Sequence, residues 1–283
     1  MTRMLILTAL TREHGFSRDV YRRFAGSLAA TGFDGNITIM TTCEEIRDGE
    51  LSILQDEIHC LTFSPMPRME EERDINCYRY RHFYEFLKPR TQDYEYVMLS
   101  DSCDVIFQRD ISQYPFTPET DLFFAEEEKL IGDCPFNAGW ILDLYGPACL
   151  SQLKNRTVLC SGTTIGLPQA VLSYLEAIIE QIDAVDEEFH RRFGYLGGID
   201  QGIHNYLHYR NMLPDLKIRT VPNRENMVYT IGHVAHDDWE RQFLDAECRF
   251  INQQGELCYC IHQFDRLDVQ VLEAFNRNSH YAI

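Results

Sequence analysis

Tyr96-Val-Met-Leu-Ser-Asp101-Ser-Cys-Asp104-Val-Ile-Phe-Gln-Arg-Asp110 is the stretch from which the fold reads outward. Val97 to Leu99 has the length and bulk of a buried strand, and the run ends on two carboxylates three positions apart. Val105, Ile106 and Phe107 then resume the apolar character. Asp101 and Asp104 therefore occupy a short break between two buried segments, where a hard cation finds oxygen ligands. The competing reading is a solvated turn in which Asp104 caps local backbone.

Working outward, Met4 to Leu10 reads as a first buried strand. Ser17 opens a helical pattern with Val20, Phe24 and Leu28 on one face, stopped by Gly32. Asn36 to Met40 is a second strand, a β-α-β opening that favours a parallel sheet. Ile58 to Phe63 reads as a third strand, with Pro65 and Pro67 as breakers, and a helix follows from Asp74 to about Pro89. The acid pair then falls at the carboxyl end of a central strand, the edge at which open α/β sheets bind ligands. Asp121 to Ala125, Asn137 to Leu142 and Val158 to Ser161 each look strand-like. Pro168 starts an amphipathic helix that buries Val171, Leu172, Leu175, Ile178, Ile179 and Ile182. Gly197-Gly-Ile-Asp-Gln-Gly202 leads into a helix from Ile203 to Tyr209. Leu216 to Val221, Met227 to Ile231 and the segment around Cys258 to His262 complete the strands. Repeats, low-complexity tracts and linkers do not show, so residues 1–283 are expected to form one α/β domain.

Composition narrows the partners. Forty-four acidic residues against 26 basic ones leave a formal charge of -18, which argues against nucleic acid or an anionic membrane held by general electrostatics. An anionic ligand needs a local positive device, and a divalent metal held by carboxylates is one. The ten cysteines show no compact spacing and read as reduced thiols. With no apolar run long enough for a membrane span, a cytoplasmic enzyme is the expectation.

Three further constellations carry chemistry. His262 closes a late strand in Ile261-His-Gln-Phe-Asp265-Arg266, as a ligand or as a structural residue. Asp200-Gln201 follows a double glycine, as a catalytic pair or as a helix cap. Asn137-Ala-Gly139 precedes a tryptophan, where the glycine relieves crowding in a strand. Cys258, Cys260 and His262 alternate onto one strand face, but a structural zinc needs a fourth ligand and looped spacing. His233 and His236 offer another metal pair.

Taken in order, Leu7-Thr-Ala-Leu-Thr11, Arg79-Tyr80, Asp101-Ser-Cys-Asp104, Asn137-Ala-Gly139, Gly198-Ile-Asp-Gln201 and Ile261-His-Gln-Phe-Asp-Arg266 span the whole chain. This ordered set resembles the nucleotide-sugar-dependent glycosyltransferases of the GT-A fold, in particular the retaining galactosyl- and glucosyltransferase-like proteins. The usual Asp-x-Asp metal motif of that fold is an Asp-x-x-Asp variant here. Haloacid-dehalogenase-type phosphatases need the shorter spacing, and sugar nucleotidyltransferases carry a glycine-rich loop that Thr8-Ala-Leu-Thr-Arg12 lacks. A nucleotide-sugar-binding domain without turnover is a further alternative.

The resemblance implies a mixed, mainly parallel central sheet flanked by helices. It implies transfer of a sugar from a nucleotide-diphosphate sugar, a UDP-sugar, to a glycan or other hydroxyl acceptor, with a lean toward retention. Mn or Mg would be held by Asp104 and His262, and by Asp101 directly or through water. Thr8, Ala9 and Asn137 would line the nucleotide pocket, Arg79 would reach the base or a phosphate, and Asp200 and Gln201 would face the donor sugar or the acceptor.

Overall fold

The structure, a computed structural model, describes residues 3–11, 18–47, 49–66, 75–185, 198–232, 244–247, 249–252, 254–267 and 272–273. Its strands are β1 (Met4–Ala9), β2 (Asn36–Thr41), β3 (Leu61–Pro65), β4 (Tyr96–Ser100), β5 (Val105–Phe107), β6 (Leu122–Leu130), β7 (Thr157–Gly166), β8 (Ile218–Val221), β9 (Val228–Thr230) and β10 (Cys260–His262). Its helices are α1 (Arg18–Ala30), α2 (Cys43–Arg47), α3 (Glu50–Glu57), α4 (Ile75–Leu87), α5 (Pro135–Leu153), α6 (Pro168–Ala184) and α7 (Ile199–Tyr209).

A seven-stranded sheet in the order β3-β2-β1-β4-β7-β6-β8 forms the centre. β7 is antiparallel to both β4 and β6, and the other pairings are parallel, so every strand but β7 runs the same way. This is the mixed, mainly parallel sheet that the resemblance implies. β4 lies fourth of seven, so Asp101 leaves the carboxyl end of the middle strand.

Burial on both faces follows from the alternation of side chains along each strand. Met4, Ile6 and Met98 join one core with Phe24 and Leu28 of α1 and Leu54 of α3. Leu5, Leu7, Val97 and Leu99 join the opposite core with Phe83 of α4, Leu175 of α6 and Ile203 of α7. The sheet is thus sandwiched between helical layers. A second sheet, β5-β10-β9, starts where the Asp101–Asp104 break ends, with β5 antiparallel and β9 parallel to β10. Its Phe107 and Cys260 belong to the same core as Phe24. The two acids therefore sit at the joint between two sheets that share packing. Among the described residues no helix is long and apolar enough to cross a membrane.

Several expectations are corrected. The third strand begins at Leu61 rather than Ile58, because Glu50–Glu57 is helical and the Ile58 amide donates to Leu54 O at 2.9 Å as its cap. Asn137–Leu142 is not a strand but part of α5. Pro135 presets the first turn, and Asn137, Trp140, Ile141, Leu144 and Tyr145 turn inward at helical rather than alternating spacing. α5 is broken midway by Gly146, at φ 79°, and Pro147. α7 begins at Ile199, four residues earlier than expected, which puts Asp200 and Gln201 inside its first turn. Gly198, at φ 93°, takes the N-cap place proposed for Asp200. Ser17, His233 and His236 lie outside the described residues.

Phe107 is the hinge of the two-sheet core: it is fully buried, packs edge-on against Phe24 with centroids 5.6 Å apart, and its amide donates to Ser27 Oγ at 3.1 Å. Phe107→Ala should lower unfolding free energy by about 3–5 kcal/mol in urea titration. Ile53→Ala, at a site 46% exposed, should change it by less than about 0.5 kcal/mol.

A candidate metal and ligand site

The site is assembled by four chain segments. β4 delivers Asp101, whose amide donates to Gly162 O of β7 at 2.7 Å. The break then turns into β5, and the Asp104 carbonyl accepts from the Gln263 amide at 2.7 Å, which ties the second acid to the end of β10. Gln263 adopts φ 63°, a left-handed conformation unusual outside glycine, at the residue following His262. β10 places His262 opposite Val105. α4 and α7 contribute Arg79 and Asp200 from the helical layer behind the sheet.

Asp101, Asp104 and His262 each offer a ligand atom, and these atoms lie within 4.8 Å of one another. They are the metal-ligand cluster of three or more such residues among those described. His262 Nε2 is 3.7 Å from Asp101 Oδ2 and 3.6 Å from Asp104 Oδ2. These separations are too long for good hydrogen bonds. They approach the spacing of about 3.0–3.4 Å expected between ligand atoms around a cation with bonds of about 2.1 Å. On its other side, His262 Nδ1 lies 3.2 Å from Cys160 Sγ and 3.3 Å from Thr230 Oγ1. A proton on Nδ1 shared with these groups leaves the Nε2 lone pair facing the carboxylates, the arrangement that orients an imidazole toward a metal. Two carboxylates and an imidazole make a donor set that fits a divalent cation. The residues therefore fit the ion. Cys258 and Cys260 are buried in the core and do not join His262 in such a cluster.

Burial favours the neutral Asp101 carboxylic acid, but the Arg79 guanidinium and neighbouring His262 outweigh it and hold the group well below its usual range. Asp104 goes the other way. Burial, opposed by His262 and reinforced by the Asp101 charge, pushes it up to about 6. Burial also favours neutral His262, yet Cys160, Asp104 and Asp101 together raise it well above its ordinary value. The unneutralised cluster thus retains protons that a cation must displace.

Arg79 holds this centre to the rest of the pocket. It is 5% exposed, pairs with Asp101 through Nη1, and donates to Asp200 Oδ2 from Nη2 at 3.1 Å. Asp200 Oδ2 also accepts from Tyr80 OH at 2.9 Å and Ser161 Oγ at 3.5 Å. Gln201 fastens α7 to β7: its Oε1 accepts from the Ser161 amide at 2.7 Å, and its Nε2 donates to Leu159 O at 2.9 Å and Glu127 Oε1 at 3.2 Å.

A cavity of about 690 Å³ opens in front of these groups and is lined by Arg79, Asp101, Asp104, Asn137, Asp200, Gln201 and His262, together with Glu127, Phe136 and Trp140. Most of the residues singled out in the sequence thus meet in one space. Thr8 and Ala9 are buried in β1 and are not among its lining residues. Arg79 faces the cavity with both terminal nitrogens committed to carboxylates.

Ser161-Gly162 was missed. A Cβ on Gly162 would fall 2.4 Å from Asp101 Oδ2 and 3.0 Å from His262 Nε2, so only glycine lets β7 pass beneath the ligand atoms. The signal was a glycine within a strand-like run, a mark of close backbone approach.

No family model matches the chain, and no curated protein matches it in sequence. Among solved structures it is similar to the crystal structure of a glycosyltransferase involved in the glycosylation of the major capsid of PBCV-1. The TM-score is 0.48 and the identity 10%, over 97% of this chain and 99% of that one. A likeness at that level carries no argument about activity, and the chemistry rests on the site itself.

Two outcomes follow from the geometry. Mn affinity measured by calorimetry should rise between pH 5 and pH 7 as Asp104, near 6, loses its proton, and binding should release protons to the buffer. Asp104→Asn should reduce the slope of that dependence and leave the part due to the proton on His262. Arg79→Met leaves two carboxylates facing each other without their cation, and should cost about 3–5 kcal/mol in unfolding free energy.

Proposed function

We propose that the chain is a metal-dependent glycosyltransferase that moves a sugar from a nucleotide-diphosphate sugar, a UDP-sugar, to a hydroxyl acceptor with retention. The observation that carries this reading is the Asp101, Asp104 and His262 cluster, joined through Arg79 to Asp200 across one cavity.

Charge explains why a cation belongs there. The cavity is lined by the acids Asp101, Asp104, Glu127 and Asp200, and two like unit charges about 4 Å apart repel by roughly 4 kcal/mol at an effective dielectric near 20. Of the cationic residues lining it, Arg79 is already spent on two of these acids. Lys129 and Arg266 also line the cavity, and a cation held where the acids converge would add to the positive charge that a diphosphate needs. Asp104, His262 and Asp101 would hold Mn or Mg, which as a Lewis acid stabilises the negative charge developing on the departing diphosphate.

The bond that breaks joins the anomeric carbon to the β-phosphate oxygen. The acceptor oxygen replaces it, and the acceptor proton leaves with the diphosphate. Asp200 contributes a carboxylate whose Oδ2 is held by Tyr80, Arg79 and Ser161. That arrangement suits a fixed negative charge beside a sugar carbon that becomes cationic, rather than a base that swings onto a proton. Gln201 positions Asp200 by locking the first turn of α7 to β7. Arg79 acts as the strut between metal ligand and sugar-facing acid, in addition to the contact with base or phosphate that the resemblance implies.

Nucleotide-sugar consumption should depend on added Mn in the wild-type chain. It should fall by about a hundredfold or more in Asp104→Ala and in His262→Ala, with circular dichroism confirming that both fold. Full metal-dependent turnover in both variants would falsify the assignment. Proton NMR of the product's anomeric signal reads the stereochemistry.

A further inference from the structure

We propose that Phe136 and Trp140 form a stacking platform for the pyranose ring of a saccharide acceptor, so that the chain extends a glycan rather than modifying a protein side chain. The inference rests on the glycosyl-transfer reading above and deepens it.

Phe136 and Trp140 are four residues apart on the first turns of α5 and so share one helix face. Their ring centroids are 6.1 Å apart with planes tilted by 35°. Both line the cavity that contains Asp101, Asp104 and His262. Phe136 is 72% exposed, more than any other exposed large hydrophobic among the described residues. Trp140 is held in place instead: a Cβ at Gly198 would lie 2.4 Å from its indole, and one at Gly202 2.9 Å from its Cβ. The platform is therefore built directly onto the start of α7, the helix that carries Asp200 and Gln201.

Two features select a sugar. The face of an aromatic ring is electron-rich and attracts the weakly positive C–H face of a pyranose, while the hydroxyls around that ring need polar partners. Such a partner lies between the two rings in sequence. Asn137 is buried and lines the cavity, and its Oδ1 finds no hydrogen-bond partner among the described residues. The second feature is position. The platform belongs to the β7 and α7 side of the acid cluster, next to the acids Asp200 and Glu127. Carboxylates such as Asp200 and Glu127 accept hydrogen bonds from neutral hydroxyls, and Lys129 on the same lining can donate to them.

The test separates platform from transferase. With Trp239→Phe, Trp140 is the remaining tryptophan of the chain's two. Its emission is followed during titration with methyl glycosides of glucose, galactose and N-acetylglucosamine, and separately with UDP and Mn. Saturation-transfer NMR of the same glycosides on the unaltered chain gives a readout independent of that background. At least one glycoside should bind saturably, and Phe136→Ala should weaken it by about fivefold or more. Phe136→Tyr should restore it, and the Kd of UDP with Mn should move by less than about twofold in either variant. In transfer assays the same loss should appear in the acceptor KM. Glycosides that do not bind, or a Phe136→Ala effect confined to UDP, would overturn the platform and assign the rings to the nucleobase. An acceptor KM indifferent to Phe136→Ala overturns it while leaving the transferase intact. Glycoside binding without any nucleotide-sugar consumption upholds the platform and removes the transferase reading.

Discussion

Arg79 between Asp101 and Asp200 is the contact on which the site depends. A guanidinium this far from water is costly to bury alone, and two carboxylates facing one cavity are costly without it. Neither cost has to be met separately, because α4, β4 and α7 each supply one member of the triad. Tyr80 adds to it twice, by donating to Asp200 and by placing its ring 5.2 Å from the Arg79 guanidinium. The planar fork of arginine suits this role, since its two terminal nitrogens reach different acids at once. Whatever orients Asp101 also orients Asp200, so the Asp101, Asp104 and His262 end of the cavity and its Asp200 end are set together.

The joint between the two sheets has the same economy. The chain leaves β4 at Asp101 while still bonded to β7, and enters β5 at Asp104 already bonded to the end of β10. The acids are splayed apart by belonging to different sheets, and His262 fills the angle between them. The reversed strand β7 passes beneath at Gly162, where any side chain would collide with the ligand atoms. The opposite displacements of Asp101 and Asp104 follow from this placement. One acid has a permanent cation beside it, and the other is half-buried with mainly His262 and a like charge for company.

Much of the fold was legible because its strands are buried on both faces. Continuous apolar runs such as Met4 to Leu10 and Val97 to Leu99 announce themselves without periodicity, and the helix after Pro168 carries a clear stripe. The errors have physical causes as well. Asn137-Ala-Gly139-Trp-Ile-Leu142 contains a glycine and bulky residues that suit a strand, and α5 forms there because its inward positions pack against α7 and the end of β6. Ile58 is apolar and buried, yet it caps a helix rather than starting a strand. Asp200 looked like a cap because an acid after two glycines before an apolar run usually is one. The left-handed Gly198 took that position instead and freed the carboxylate for Arg79.

The sequence by itself determined the layered α/β architecture, the central strand ending in Asp101 and Asp104, and the candidacy of His262 and Asp200. Each is written in local pattern: apolar runs, an abrupt pair of acids, a glycine-flanked turn. Only the tertiary structure decided that Arg79 serves two carboxylates, that Ser161-Gly162 runs under the candidate ligand atoms while Asn137-Ala-Gly139 is helical, and that Phe136 and Trp140 border the same cavity. Those facts depend on which strand lies beside β4 and which helix caps its end. Such neighbours are separated by scores of residues in the chain and are chosen by packing of the whole core, which no local pattern records.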